Sequence, residues 1–309
     1  MTVKDRFVAY IHALQDRICQ SLEELDGEKC FIEDRWERSG GGGGITRILS
    51  GGRVIEKGGV NTSVVHGQLP EVMVQRLGVG HNRFFACGIS LVIHPLNPFV
   101  PTVHANFRYF ELYDNGGDLV DCWFGGGADL TPYYIFEEDG RHFHTVLKQA
   151  CDRHSPEYYP RFKAECDQYF YIEHRKENRG IGGIFFDYLR PGALQPAEHW
   201  LNFVMEAGDA FLPAYVPIVE RRKNLPYGER HLHWQGIRRG RYAEFNLVYD
   251  RGTLFGLKTD GRIESILMSL PATARWEYNH RPEPCSEEAK LLKALEHRDW
   301  VNTYVIEDY

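Results

Sequence analysis

His104, Asn106 and Arg108 stand at alternate positions in SLVIHPLNPFVPTVHANFR, residues 90 to 108. Side chains alternate between the two faces of a strand, so these three share one face while Val103, Ala105 and Phe107 share the other. The same parity groups Ser90 with His94 on the preceding segment. An arginine fork suits a carboxylate, an amide can orient it, and an imidazole moves a proton near neutral pH. Such a face is either solvated surface or, beneath a cover of helices, a site.

WFGGGADLTPYY, residues 123 to 134, adds a carboxylate. Its three glycines let the backbone approach a ligand closely, and Asp129 follows them, suited to pair with cationic or N–H groups of a ligand. The alternative is a bulged turn that Asp129 and Thr131 cap. Of the 14 histidines, His94, His104, His144 and His174 stand out. Four imidazoles could bind a first-row metal, yet no local ligand spacing ties them together, and four hydrogen-bonded structural histidines read as well. His297-Arg298-Asp299 imitates a catalytic loop but lacks companion motifs and reads as surface. HExxH, GxSxG and a GxGxxG between strand and helix do not occur, which sets aside zinc peptidases, α/β-hydrolases and dinucleotide enzymes.

The elements that must carry these residues follow from periodicity. Phe7, Tyr10, Ile11, Leu14, Ile18, Leu22 and Leu25 recur at helical spacing before Gly27, predicting a helix over 4–25. Gly51-Gly52 predicts a hairpin turn between ITRILS and RVIEK, and glycine-rich 39–46 reads as a mobile loop, with Gly40 to Gly44 a candidate lid. Strands are expected over 83–94, 101–113, 118–124 and 180–189, with Asn115-Gly116-Gly117 as a tight turn. Helices are expected over 137–151, from a Ser155 cap, over 197–222 and over 286–299, with an arginine-rich helix after 222 and two further strands near 242–250 and 262–270. Tight turns between consecutive strands indicate an antiparallel sheet, and apolar strands among many helices indicate α+β.

Composition narrows the partners. The 309 residues carry a net charge of -7, which argues against nonspecific binding to nucleic acid. Arg221, Arg222, Lys223, Arg230, Arg238, Arg239, Arg241 and Arg251 still form a local cation excess, either a solvated helix face or a site for a polyanionic small molecule. Seven cysteines without CxxC read as reduced thiols, the N-terminus has no targeting character, and no run of about 18 apolar residues spans a membrane. A single cytoplasmic domain, 1–309, is the expectation.

HPLNPFVPTVHANFRYFE, WFGGGADLTPYY, CDQYFYIEHRKENRGIGGIFFDYL, PIVERRK, YGER, RRGRYAEFNLVYDRGTLFGLKTDGRIESILMSLP and RWEY closely resemble the oxygen-dependent coproporphyrinogen III oxidase family, collinearly from about Phe31 to Trp300. Cys122, Glu165, Tyr188 and Asp260 depart from the usual pattern, where a tryptophan, a tryptophan, an aspartate and a glycine are common. The resemblance implies oxidative decarboxylation of two propionates of coproporphyrinogen III to vinyls, giving protoporphyrinogen IX with O2 as acceptor and without flavin or NAD. It implies a homodimer built on a large flat antiparallel sheet covered by helices on both faces, with 242–278 as the dimer contact. It makes His104 the proton donor, Ser90, Asn106, Arg108, Asp260, Gly261 and Arg262 substrate contacts, and Asp129 the group facing the pyrrole N–H atoms. It makes His94, His104, His144 and His174 candidate ligands of a divalent metal. A tetrapyrrole carrier without redox chemistry and a metal-dependent dioxygenase are the competing readings.

Overall fold

The computed structural model describes residues 1–69, 74, 80, 83–258, 261–296 and 298–301. Thr2 opens helix α1 (Val3–Asp26) with a reciprocal cap to Asp5, and Gly27 closes it at φ 72°, a left-handed position that glycine occupies without strain. Strands β1 (Ile32–Glu37), β2 (Gly42–Ser50), β3 (Ile55–Gln68), β4 (Arg83–Pro95), β5 (Thr102–Tyr113) and β6 (Leu119–Thr131) follow as an antiparallel meander. After helices α2 (Glu137–Asp152) and α3 (Tyr158–Tyr169) and a small hairpin of β7 (Tyr171–Ile172) with β8 (Glu177–Asn178), strand β9 (Gly182–Leu189) pairs with β6 and completes a seven-stranded sheet. Helices α4 (Ala197–Asp209), α5 (Phe211–Arg222), α6 (Glu229–Val248), α7 (Arg251–Lys258), α8 (Ile263–Leu267) and α9 (Glu287–Ala294) complete the described elements.

The odd-numbered face of β5 is the core face. Phe107 and Tyr109 pack with Phe124 beneath α1, where Phe7 meets Phe124 edge-on at 5.5 Å, and one large apolar cluster joins them to α2, α3, α4 and α5. Burying each such ring contributes roughly 1.5 to 3 kcal/mol, so the sheet is anchored from one side. The even face is roofed in part by the segment from α6 to α8: Ser265 Oγ lies 2.8 Å from Thr46 Oγ1, and the Tyr242 ring stands edge-on to His94 at 5.1 Å. Helices therefore cover both faces, as the resemblance implies, and the face of His104, Asn106 and Arg108 is an interior floor.

Several expected elements are corrected. Residues 42–46 belong to β2, paired with β1 and β3, so the glycine-rich stretch is mostly strand, with a tight turn before it, where a loop was expected. The segments 242–250 and 262–270 are not strands: Tyr242–Val248 ends α6, and α8 lies within the second. Ser155 does not cap α3, whose cap position is Glu157. The expected 197–222 helix breaks at Ala210 into α4 and α5, and the expected 286–299 helix is the shorter α9 behind a Ser286 cap.

Candidate active site

Register brings the polar residues into line. Asp34 pairs with Thr46, Thr46 with Asn61, Asn61 with Ser90, Ser90 with Asn106, and Asn106 with Gly127, so one polar row crosses six strands. Arginines bracket it. Arg108 Nη1 donates to Asn106 Oδ1 at 2.8 Å, and Arg262 Nη2 is paired with Asp34 while Nη1 donates to Ser265 Oγ at 3.1 Å. At about 4.8 Å per strand, the four steps from β1 to β5 separate these ends by roughly 19 Å, a span suited to a large flat polyanion. Gly261 lies beside Arg262; Asp260, the third member of the expected contact, lies outside the described residues.

One row along, His104 opposes Asp129 across β5 and β6. His104 Nδ1 lies 2.7 Å from Asp129 Oδ1, and Arg179 Nη2 donates to Asp129 Oδ2 at 2.7 Å. Asp129 is 1% exposed and Arg179 2%. Burial by itself pushes the Asp129 carboxyl up, but the Arg179 guanidinium and then His104 outweigh it and hold the carboxyl below its usual range. Arg179 is itself boxed by the rings of Phe170, Tyr242 and Phe245 at 4.1, 4.6 and 4.8 Å, and its Nη1 donates to Asn246 Oδ1 at 3.0 Å. A carboxylate only accepts, so His104 carries its proton on Nδ1 and leaves Nε2 for a ligand. In this arrangement each oxygen of Asp129 accepts one hydrogen bond from the protein, Oδ1 from His104 and Oδ2 from Arg179.

The other end of the face is open and cationic. Arg108, with its side chain 35% exposed, places Nη2 2.8 Å from Asp187 Oδ1, and Arg251 Nη2 lies 3.7 Å from Asp187 Oδ2. Two guanidiniums share one carboxylate, leaving a net positive charge for an anion. Gly125 makes this crowding feasible: a Cβ there would stand 2.8 Å from both the Arg108 guanidinium and Asp187 Oδ1. A cavity of about 530 Å³ beside Lys4, His66, Arg83, Phe85 and Tyr113 lies at the opposite ends of these strands, away from His104.

The four histidines are not brought together. His94 lies 3.2 Å from Thr102 Oγ1 and 2.8 Å from the Ser269 carbonyl, while His144 lies 2.9 Å from the Tyr159 hydroxyl and 3.1 Å from the Ile181 carbonyl. Burial lowers both imidazoles to about 3, so they stay neutral. His174 is bound to Tyr249 and Glu244. Among the described residues no group of three His, Cys, Asp or Glu side chains is gathered for a metal, and this donor set does not fit a shared ion. The local cation excess is not an anion site either. Arg221 and Arg222 pair with Asp139, Arg230 with Glu288, Arg238 with Glu177, Arg239 with Glu56 and Arg241 with Glu244; Arg251 alone of that set reaches the floor. Arg298 pairs with Glu137, in keeping with a surface role, and His297 lies outside the described residues.

Arg179 and Asp187 were passed over in the sequence. Arg179 hides in HRKENRGIGG, which reads as a solvated turn, and its one signal is an arginine leading directly into a glycine-rich apolar strand.

The coproporphyrinogen III oxidase family model matches residues 6–300. The chain is 55% identical to the chloroplastic oxygen-dependent coproporphyrinogen-III oxidase of Glycine max and 53% identical to the chloroplastic coproporphyrinogen-III oxidase 1 of Arabidopsis thaliana, in each case over 97% of this chain and 80% of the relative. It is 54% identical to the oxygen-dependent enzyme of Drosophila melanogaster, over 97% of this chain and 78% of that one. With the histidine, the bracketing arginines and a match along nearly the whole chain, this protein belongs to the coproporphyrinogen III oxidase family.

Proposed function

We infer that this chain catalyses the oxidative decarboxylation of two propionate side chains of coproporphyrinogen III to vinyl groups, giving protoporphyrinogen IX with O2 as the electron acceptor. The observation that carries the reading is identity above 50% along 97% of the chain to enzymes named for that activity. Each conversion removes CO2 and a hydride equivalent from one propionate; O2 takes up that hydride equivalent and, with one further proton, leaves as hydrogen peroxide. The protein's part is to hold the arms, exclude water and move that proton.

The geometry supports distinct roles. Arg108, helped by Arg251, and Arg262 hold carboxylates at the two ends of the row, and Ser90 and Asn106 orient the ring between them. His104 exchanges the proton at Nε2, because Nδ1 is tied to Asp129. Asp129 stabilises the imidazolium and fixes the ring, and Arg179 keeps Asp129 ionised where burial would neutralise it.

A homodimer through 242–278 is supported by the apolar surface there. Leu247, Val248, Leu257, Ile263, Trp276 and Tyr278 are all exposed, Tyr278 completely, a concentration that a monomer rarely leaves facing water. The seven free cysteines support a reducing compartment such as the cytoplasm. No helix among the described residues is long and apolar enough to cross a membrane.

The test is to incubate purified protein with reduced coproporphyrinogen III in air and under strict anaerobiosis, with and without a chelator, and to resolve the oxidised porphyrins by chromatography. Protoporphyrin formed only in air, at a rate the chelator leaves unchanged, is the expected result. Tight binding without decarboxylated product in air would instead favour a carrier.

A further inference from the structure

Among the described residues of this floor, Tyr188 is strained and left unused by the roles above. Its φ of 52° lies in the left-handed region that a Cβ disfavours. The cause is a bulge: Gly126 pairs with Phe186 but Phe124 pairs with Leu189, so Asp187 and Tyr188 together oppose Gly125. Bulges beside functional sites re-aim side chains. This one sends Asp187 onto Arg108 and Tyr188 onto Trp123, both on the His104 face.

Tyr188 also ends a series of rings laid across the sheet one row beyond Arg108. Phe84 stacks on Phe110 at 5.8 Å, Phe110 on Trp123 at 4.2 Å, and Trp123 meets Tyr188 at 5.4 Å. Arg190 lies 5.0 Å from both the Trp123 and the Tyr188 rings. Trp123 is 7% exposed, whereas Tyr188 is 43% exposed. A strained backbone persists only where its surroundings enforce it, and such strain gathers at functional positions. Here it holds a partly exposed aromatic ring beside a carboxylate-binding cluster.

We propose that Tyr188 is a substrate-binding residue particular to this chain, standing where the resemblance expects an aspartate: the wall against which the pyrrole edge of a carboxylate-bearing macrocycle packs while its arm reaches Arg108 and Arg251. The inference rests on the function proposed above. Guanidiniums accept any carboxylate, and an aromatic plane next to them adds a contact with the ring system that carries it.

Glycine occupies that φ freely and asparagine tolerates it, so Tyr188→Gly and Tyr188→Asn delete the ring without adding backbone strain. In steady-state kinetics with coproporphyrinogen III both should raise KM about three- to tenfold, the scale of one lost aromatic contact, while kcat holds and Tyr188→Phe restores KM. Unchanged KM in both variants, or a fall in kcat alone, overturns the proposal. If the wild-type protein forms no product, the functional reading fails. Quenching of tryptophan fluorescence by oxidised coproporphyrin III then decides for Tyr188: a weaker Kd in Tyr188→Gly supports it, and an unchanged Kd overturns it.

Discussion

Two ionic clusters share one face of the sheet and are built on opposite terms. His104, Asp129 and Arg179 form a sealed unit in which the Asp129 and Arg179 side chains are each 2% exposed and both carboxylate oxygens are taken. Arg108, Asp187 and Arg251 form an open one, partly wet and one negative charge short of neutral. The closed cluster offers a ligand the His104 Nε2 edge, while its buried carboxylate holds that imidazole in place. An open cluster with surplus charge is a receptor. The division assigns proton chemistry to the first and substrate binding to the second.

Breaking the closed cluster should have the largest effect. Arg179→Met leaves a buried carboxylate unpaired and should cost about 3 to 5 kcal/mol of stability, read by urea unfolding. Asp129→Asn strands the buried guanidinium in the same way, so it should lower both stability and turnover. The double variant Asp129→Asn/Arg179→Met should be less unstable than the sum of the two single variants; strict additivity would show that the two residues are uncoupled.

Breaking the open cluster should act on the substrate. Arg108→Ala should cost about 1.5 to 3 kcal/mol in kcat/KM, with stability changed by no more than about 1 kcal/mol because the pair is partly solvated. Unchanged kinetics would remove Arg108 from the site.

Acid should separate the clusters further. The folded-state pKa of Asp129 lies below its unfolded value, about 3.9. Its contribution is therefore complete above roughly pH 4 and lost as pH falls through the lower, folded value. Wild-type stability should decline below about pH 4, and Asp129→Asn should flatten that part of the profile; an equal slope in both would assign acid sensitivity to another group.

The smallest effect should come from His174, exposed and bound to Glu244. His174→Ala should leave turnover within about twofold of wild type, since surface ion pairs contribute about 1 kcal/mol or less. A metal-dependent loss of activity in that variant would revive the four-histidine site.

What was legible in the sequence follows from the range of each signal. The period of two placed His104, Asn106 and Arg108 on one face, and the Asn115 to Gly117 turn paired β5 with β6, because both are local. The same local rules misread 242–250 as a strand; Tyr242, Phe245 and Asn246 instead share one helix face that closes over Arg179, and the segment ends α6. Glycines at 42–44 imitate a loop, and only pairing on both sides makes them strand. Arg179 lies 50 residues from Asp129 and the Asp187 bulge depends on register with β6, so neither could be seen before the sheet was assembled. The arginine surplus misled for the same reason: apart from Glu244, its acids lie in other elements.

The central claim is the division of labour, and paired steady-state kinetics of His104→Gln and Arg108→Lys with coproporphyrinogen III test it most directly. His104→Gln should collapse kcat with KM little changed, and Arg108→Lys should raise KM with kcat largely kept. The reverse pattern, with binding lost at His104 and the chemical step lost at Arg108, would contradict the account.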